Sequence, residues 1–431
     1  MLRDRITIAL ASARRRGEKV ALLFFDLDNF KNINDSLGHT AGDFLLKEVS
    51  NRLKQCIRAQ DTVARLGGDE FIVLLTAVGE IADAGVVAQR VVKDIAAGFV
   101  IQGRSLTVTC SLGVSLFPDH GTDMDALVKH ADVAMYSAKG LGRNNFQFFT
   151  PEMNTQVQEK STLENSLRKA LENKELFLVY QPQVDFSTGD IIGAEALLRW
   201  RHPELGLITP DRFIPVAENT GLIIPIGEWV LRTACLQALQ WQSEGFPPLT
   251  VAVNVSPVQF RQKAFPELVQ RVLDETGLSP EYLDLELTEG LIISSPEVVL
   301  SAFHELKEMG VKLSIDDFGT GYSNLSYLRH FPVHKLKIDR SFIRDLASDP
   351  DDASITSTII SMARSLNLKV IAEGVENEGQ MSFLRAHDCD EYQGFYFSKP
   401  LPASDFANCL HRESLKLGGE LGQFPAQLTG A

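Results

Sequence analysis

The sequence predicts an α+β and α/β chain of two domains: a βαββαβ unit over residues 1–150 and a (β/α)₈ barrel over residues 163–411. Three observations carry this. Over the first third, strand-like apolar runs alternate with helix-period segments around a Gly67-Gly68 hairpin. Over the rest, short β-rich runs ending on a polar or acidic residue are repeatedly followed by a helix-length stretch, the layout of a barrel with functional side chains at its strand ends. Between them, Thr150-Pro151 closes the first pattern and residues 151–162 read as a linker; residues 412–431, aperiodic and holding Gly-Gly, Gln and Pro, read as a tail.

Composition excludes several classes. With 431 residues, 44% hydrophobic and 23% charged, the chain is an ordinary globular protein of more than one domain. A formal charge of −14 argues against a surface that coats a nucleic acid polymer. It also means that an anionic substrate needs metal ions or local Arg and Lys. Cys56, Cys110, Cys235, Cys389 and Cys409 lie far apart, as reduced thiols of the cytoplasm do, in neither a disulfide framework nor a zinc site. The apolar runs are strand-length, shorter than a bilayer span, and Met1-Leu2-Arg3-Asp4-Arg5 reads as the start of a charged helix, so no signal peptide is expected in it. A cytoplasmic location is expected, as a whole protein or as the cytoplasmic portion of a longer membrane-anchored sensor.

Taken in order, residues 1–16 form an amphipathic helix closed by Arg14-Arg15-Arg16 and Gly17. Val20–Leu27 is an apolar strand ending in Asp26-Leu27-Asp28, and Phe44, Leu45, Val49, Leu53 and Ile57 share one face of a helix. Thr62–Leu66 and Phe71–Leu75 form the hairpin, which sets Asp69 across the sheet from Asp26. A helix covers 80–97. Leu106–Leu116 then alternates, with Val108, Cys110, Leu112 and Val114 on one face and Thr107, Thr109, Ser111 and Ser115 on the other. A helix from Thr122-Asp123 to Gly140 and a strand at Phe146–Phe149 complete a sheet with helices expected on one side.

Arg65-Leu66-Gly67-Gly68-Asp69-Glu70-Phe71, with Phe25–Asp35 and Gly38–Asp43, resembles the GGDEF family of cyclase-palm-like domains, which make cyclic di-GMP from two GTP. The glycines allow close backbone approach to a phosphate. The resemblance implies Mg²⁺ held by Asp26, the Leu27 carbonyl and Asp69, with Glu70 beside them and Asp69 as proton acceptor. It further implies Lys31 as phosphate stabiliser, Asn34 and Asp43 as guanine contacts, and Lys139 and Arg143 as a distal phosphate clamp. Arg58 and Asp61 are similar to the family's product-inhibition pair. Members usually carry an Asp-x-Leu-Thr-Gly-Leu-x-Asn-Arg stretch ahead of the first helix; this sequence starts after it. GTP binding as a regulator, or residual cyclase activity, is therefore the expectation.

In the second half, Ser161-Thr162-Leu163-Glu164 offers a helix cap ahead of the stripe Leu163, Leu167, Leu171. Strand runs are expected to end at Glu195, Asn254, Glu286, Asp316-Asp317, Lys337, Glu373 and Gln393. Adjacent side chains on a strand point to opposite faces, so Asp316 and Asp317 reach one point only if the strand ends there. Two such carboxylates are met either by a hard cation or, as a plain solvated turn, by water.

Glu195-Ala196-Leu197-Leu198-Arg199, Asn254-Val255-Ser256, Glu286–Glu289, Asp316–Ser323, Lys337–Arg340 and Glu373–Glu376 stand in the order of the EAL phosphodiesterase family. That resemblance implies hydrolysis of cyclic di-GMP to linear pGpG, by a barrel that pairs as a homodimer. Glu195, Asn254, Glu286, Asp316, Asp317 and Glu373 would hold two Mg²⁺ or Mn²⁺ ions, oxygen donors being suited to hard cations. Lys337 would orient or deprotonate the attacking water, with Gln181, Leu198, Arg199, Glu376 and Gln393 on the substrate. Glu289 would brace the loop Phe318–Ser323. The alternatives are a net cyclase with a silent barrel and a receptor that binds cyclic di-GMP without turnover.

Overall fold

A computed structural model describes residues 2–417 apart from 102, 295, 320–327, 329 and 347. It divides into two compact units, residues 1–162 and 163–431. In the first, α1 (Leu2–Arg16) ends on its three arginines and leads into β1 (Lys19–Leu27). Asn29 and Gly38, both left-handed, bracket a helix the sequence had not announced, α2 (Phe30–Leu37), and α3 (His39–Cys56) follows. The hairpin is β2 (Thr62–Gly67) and β3 (Glu70–Val78), followed by α4 (Ile81–Ala96). A small ribbon of β4 (Phe99–Ile101) and β5 (Arg104–Leu106) precedes β6 (Cys110–Phe117), α5 (Met124–Gly140) and β7 (Phe146–Phe148). The sheet order is β2-β3-β1-β6-β7.

The expectation of helices on one side is corrected. Ala21, Leu23 and Phe25 pack with Leu45 of α3 and Val91 of α4, whereas Leu22 and Phe24 pack on the other face with Ile6 of α1 and Leu127 of α5. Both faces of the sheet are therefore closed, which is why β1 is apolar along its length. The small polar residues of β6 are buried accordingly: Ser115 donates to the Leu127 carbonyl (2.7 Å) and Ser111 to Asp28 (2.7 Å). The long alternating run is also broken, its start belonging to the ribbon and its strand beginning at Cys110.

Helix α6 (Pro151–Ala170) starts ten residues before the expected cap at Ser161, so the span read as linker is helical. Proline is pre-set for a first helical position, which makes Pro151 a start signal as well as a stop. At the other end, the helix Ala403–Leu417 runs past residue 411 into the span read as tail.

The second unit is built on β8 (Leu176–Asp185), β9 (Ile191–His202), β10 (Gly206–Ile208), β11 (Thr250–Val255), β12 (Leu283–Thr288), β13 (Lys312–Phe318), β14 (Lys335–Ile338), β15 (Lys369–Glu373) and β16 (Glu391–Gln393). Pairing runs β9-β11-β12-β13-β14-β15-β16-β8 and closes through β8–β9, with β10 appended to β9. Eight strands thus form the predicted barrel. One of them, β8, is antiparallel to both its neighbours.

The strands sort their side chains by parity. Leu283, Leu285 and Leu287, or Leu336 and Ile338, belong to the cluster shared with the surrounding helices. Asp284 and Glu286, or Lys335 and Lys337, meet instead inside the barrel. Burying each Leu, Ile or Val on the outside contributes about 1.5–3 kcal/mol. The barrel is held together from its outer face, which leaves its interior free for polar chemistry. No helix among the described residues is long and apolar enough to cross a membrane.

Candidate active site in the barrel and its counterpart in the front domain

Lys337 is fully buried at the barrel centre. Its Nζ lies 2.6 Å from Glu286, 2.6 Å from Glu373, 3.2 Å from Asp316 and 3.7 Å from Glu195. Four acids from four strands thus converge on one cation. Asn254 donates to Glu195 at 2.6 Å, and Gln393 donates to the other oxygen of that carboxylate and to Gln181 (3.1 Å). Glu195 was expected at the end of its strand but sits inside β9, which runs on to His202. The hairpin with antiparallel β8 carries the strand beyond the barrel.

Asp316 and Asp317 do reach one point, by a route other than a strand end. β13 continues to Phe318, and its pairing with β14 slips between Ile315 and Phe318. Asp317 takes the left-handed φ of 53°, a conformation that Asp tolerates better than most residues. This bulge turns Asp317 to the side of Asp316. Oxygen atoms of Asp316, Asp317 and Glu373 lie within 4.8 Å of one another, a group suited to a metal ion. All are hard oxygen donors, so the set fits Mg²⁺ or Mn²⁺.

Charge crowding sets the protonation. Burial, joined by the Asp316 and Glu195 charges and only partly offset by Lys337, pushes Glu373 up to about 8. Burial with Asp316 and Asp339 pushes Asp317 up to about 6. Burial likewise holds Glu286 well above the usual range against the pull of Lys337. Burial would raise Glu195 too, but Lys337 and the two amides outweigh it and keep it low. The raised carboxyls would have to give up their protons to hold a divalent cation.

Beneath this layer lies a second one that sequence reasoning missed. Two residues earlier on the same strands stand Asp284, Ser314, Lys335 and Glu391, all buried. Ser314 donates to Asp284 at 2.8 Å, and Lys335 lies 2.6 Å from Glu391 and 3.9 Å from Asp284. Burial works against Asp284, but His334, Lys335 and Ser314 bring it down to about 2. Gln183, two residues from Gln181 on β8, donates to Glu286 at 3.4 Å. The signal was present: a polar residue at every second position of a Leu-rich strand points inward in a barrel.

Leu198 and Arg199 line a cavity of about 400 Å³ beside Asn254, walled by Ile214, Ile226 and Val230. Gln181 also donates to the Ser398 carbonyl at 3.1 Å. Glu376 is exposed, its backbone N–H held by Gln380. Glu289 accepts the Gly319 N–H at 3.1 Å, on the loop it was expected to brace; Thr320–Ser323 lie outside the described residues.

In the front domain the turn is Gly68-Asp69, one residue later than expected, with Gly67 paired to Glu70. Gly68 is the left-handed residue, and Arg65 donates to its carbonyl at 2.9 Å. Glu70 is therefore the residue opposite Asp26, and Asp69 occupies the turn beside it. Lys139 pairs with Asp26 at 2.8 Å. Burial raises Asp26 in spite of Lys139, and burial with Asp26 raises Glu70. Leu27 ends β1 next to these acids, and Lys31 and Asp43 are exposed on α2 and α3 with Asn34 half-buried. Arg143 takes a left-handed φ of 62°, in a loop anchored by the buried Asp28, which accepts Thr109, Ser111 and the Asn144 N–H.

Arg58 and Asp61 line a cavity of about 240 Å³ that also holds Arg90, which sequence reasoning did not single out. The Asp61 carboxylate is engaged by the Arg58 N–H (3.0 Å) and by Thr76, so it shapes the loop while facing the cavity.

With these two sites in place, the comparisons with known proteins agree on a class. The chain belongs to the EAL domain family, whose model matches residues 164–400, in tandem with a match to the diguanylate cyclase GGDEF domain over residues 1–145. It is 47% identical over 403 residues to the bifunctional diguanylate cyclase/cyclic di-GMP phosphodiesterase MucR of Pseudomonas aeruginosa, covering 94% of this chain and 59% of that one. It is 42% identical over 388 residues to the cyclic di-GMP phosphodiesterase PdeR of Escherichia coli, covering 90% and 58%. The chain thus spans somewhat over half the length of these relatives. A solved structure titled "PaMucR Phosphodiesterase, c-di-GMP complex" matches with a TM-score of 0.56 and 48% identity, over 57% of this chain and 99% of that one.

Proposed function

We propose that the barrel is a cyclic di-GMP phosphodiesterase that yields linear pGpG, working in the bacterial cytoplasm as a homodimer paired through its barrel. The observation that carries this is the convergence of Glu195, Glu286, Asp316 and Glu373 on Lys337, with Asp317 turned to the same point. The named activities of MucR and PdeR support it.

Asp316, Asp317 and Glu373 would hold divalent cations together with Glu195, Glu286 and the Asn254 amide oxygen. Two bound ions would supply charge neutralisation at the phosphodiester and acidify a water molecule. The chain's own residues do the rest. Lys337 holds the acids in place before substrate arrives and is the group that orients the attacking water. Gln393 and Asn254 fix the Glu195 carboxylate. Arg199, Leu198, Gln181, Gln393 and Glu376 bind the dinucleotide.

In the front domain, Asp26, the Leu27 carbonyl, Asp69 and Glu70 would hold Mg²⁺ with GTP. Lys31, Lys139 and Arg143 would meet the phosphates, and Asn34 and Asp43 the guanine. GTP bound there tunes the barrel or is turned over slowly. Arg58, Asp61 and Arg90 form a second place for cyclic di-GMP.

The test is to incubate the protein with cyclic di-GMP and Mg²⁺, with and without GTP, and to separate the nucleotides by chromatography. Appearance of pGpG supports the reading. Tight binding without turnover would replace it with the receptor, and net synthesis from GTP with the cyclase.

A further inference from the structure

Gly42 stands in the first turn of α3, where nothing about the backbone demands glycine. It is buried, helical, and its N–H donates to the Gly38 carbonyl at 3.3 Å. The positive-φ requirement of this segment falls on Gly38, at 83°, and not on Gly42. At such a site alanine is ordinarily the better residue. What opposes it is a neighbour. A Cβ at Gly42 would stand 2.0 Å from Oδ1 and 3.1 Å from Cγ of Asn34, and 3.2 Å from the ring of Phe30.

Asn34 is half-buried, and its amide would have to turn away to admit that Cβ. Its backbone carbonyl is tied to the Gly38 N–H at 2.9 Å, which closes α2 against the start of α3. Phe30, one turn earlier, is buried in the core beneath the sheet. The amide oxygen is thereby laid against the bare backbone of Gly42, and the missing side chain is what lets it lie there.

We infer that Gly42 is a specificity-determining positioning residue: its lack of a side chain seats the Asn34 amide for contact with the purine edge and selects guanine over adenine. This rests on the proposal that the front domain binds GTP through Asn34. Guanine and adenine differ at that edge in their donors and acceptors, so a displaced amide loses the choice between them. The phosphate contacts, carried by other residues, are left as they were.

The experiment titrates the full chain with fluorescent GTP and ATP analogues in Mg²⁺, for the wild type, Gly42→Ala, Asn34→Ala and the double variant, beside thermal melts of all four. Gly42→Ala is expected to lose roughly tenfold in preference for GTP over ATP, as one base contact is worth, with ATP affinity unchanged. Asn34→Ala is expected to lose the same, and the double variant no more than either. In the melts, Gly42→Ala should lower Tm less where Asn34 is already Ala than in the wild type, the Phe30 contact being common to both. Full GTP preference in Gly42→Ala, or additive losses in the double variant, would overturn the inference while leaving GTP binding intact. A wild type that fails to bind GTP would overturn the underlying reading instead. The melts separate the two failures, since they report the Gly42–Asn34 contact without any nucleotide.

Discussion

The barrel and the front domain each gather carboxylates around a lysine, under opposite conditions. In the barrel, Lys337 is sealed from water and shared among four acids on a closed sheet. In the front domain, Lys139 reaches from α5 to a single acid, Asp26, with 29% of its side chain exposed, beside a two-residue turn. A buried cation with four partners is locked by the cost of stranding any one of them. A half-exposed pair is worth little and can be traded for a ligand. The barrel therefore presents a locked cluster, and the front domain an ion pair open to exchange.

This contrast can be broken or sharpened by experiment. The largest effect belongs to Glu195→Ala, expected to lower hydrolysis of cyclic di-GMP by at least about 10²-fold with GTP binding unchanged. Wild-type turnover in that variant would remove the barrel from the chemistry. Next comes Lys337→Met, which leaves buried acids facing one another and should cost roughly 3–5 kcal/mol of metal-free stability. Chemical denaturation would read this, and added Mg²⁺ should restore part of it. Lys139→Met in the front domain should cost under about 1 kcal/mol.

Proton linkage gives a third measurement. Asp317 near 6 and Glu373 near 8 titrate above their unfolded values, so the folded, metal-free chain holds the extra protons. Stability without metal should then fall as pH climbs from about 5 toward 8. Asp284, near 2, adds no slope in that window. Mg²⁺ should flatten the trend, and its affinity should rise with pH as protons are displaced. Melting temperatures independent of pH in chelator would contradict this.

Smaller effects follow in the front domain. Asp61→Ala removes acceptors for the Arg58 and Thr76 N–H groups and should destabilise by about 1–2 kcal/mol, while weakening any cyclic di-GMP bound beside Arg58 and Arg90. Smallest of all, Lys139→Met should raise Mg²⁺ affinity in the absence of nucleotide by a few-fold, since Asp26 loses its resident cation.

Much of this was legible in the chain because periodicity and motif spacing are local. The alternation of Leu283-Asp284-Leu285-Glu286 marks a barrel strand, and Asp316-Asp317 marks a carboxylate pair that could hold a cation. What escaped depends on partners far away in sequence. The second cover on the front sheet comes from α1 and α5, so Ser111 and Ser115 looked solvent-facing. The bulge at Asp317 is set by pairing with β14, so the strand seemed to end there. Asp284, Lys335 and Glu391 went unread because each is satisfied by another strand. Arg90 meets Arg58 only through the fold.

The stacking of two polar layers has a consequence for how the chain reaches its fold. β12 repeats an acid, and β14 a lysine, at positions two apart. A slip of two residues keeps every side chain on its own face, so it would put Asp284 where Glu286 belongs, or Lys335 where Lys337 belongs. Such a slip keeps a charge of the right sign in the upper layer but takes one from the lower, since Tyr282 would stand in place of Asp284, or Val333 in place of Lys335. The strands that do not repeat must arbitrate: Ser314 below Asp316, Ile371 below Glu373 and Gly193 below Glu195 tolerate no such exchange. Register in the barrel is therefore set by its uncharged inward positions together with the lower pair of charged ones.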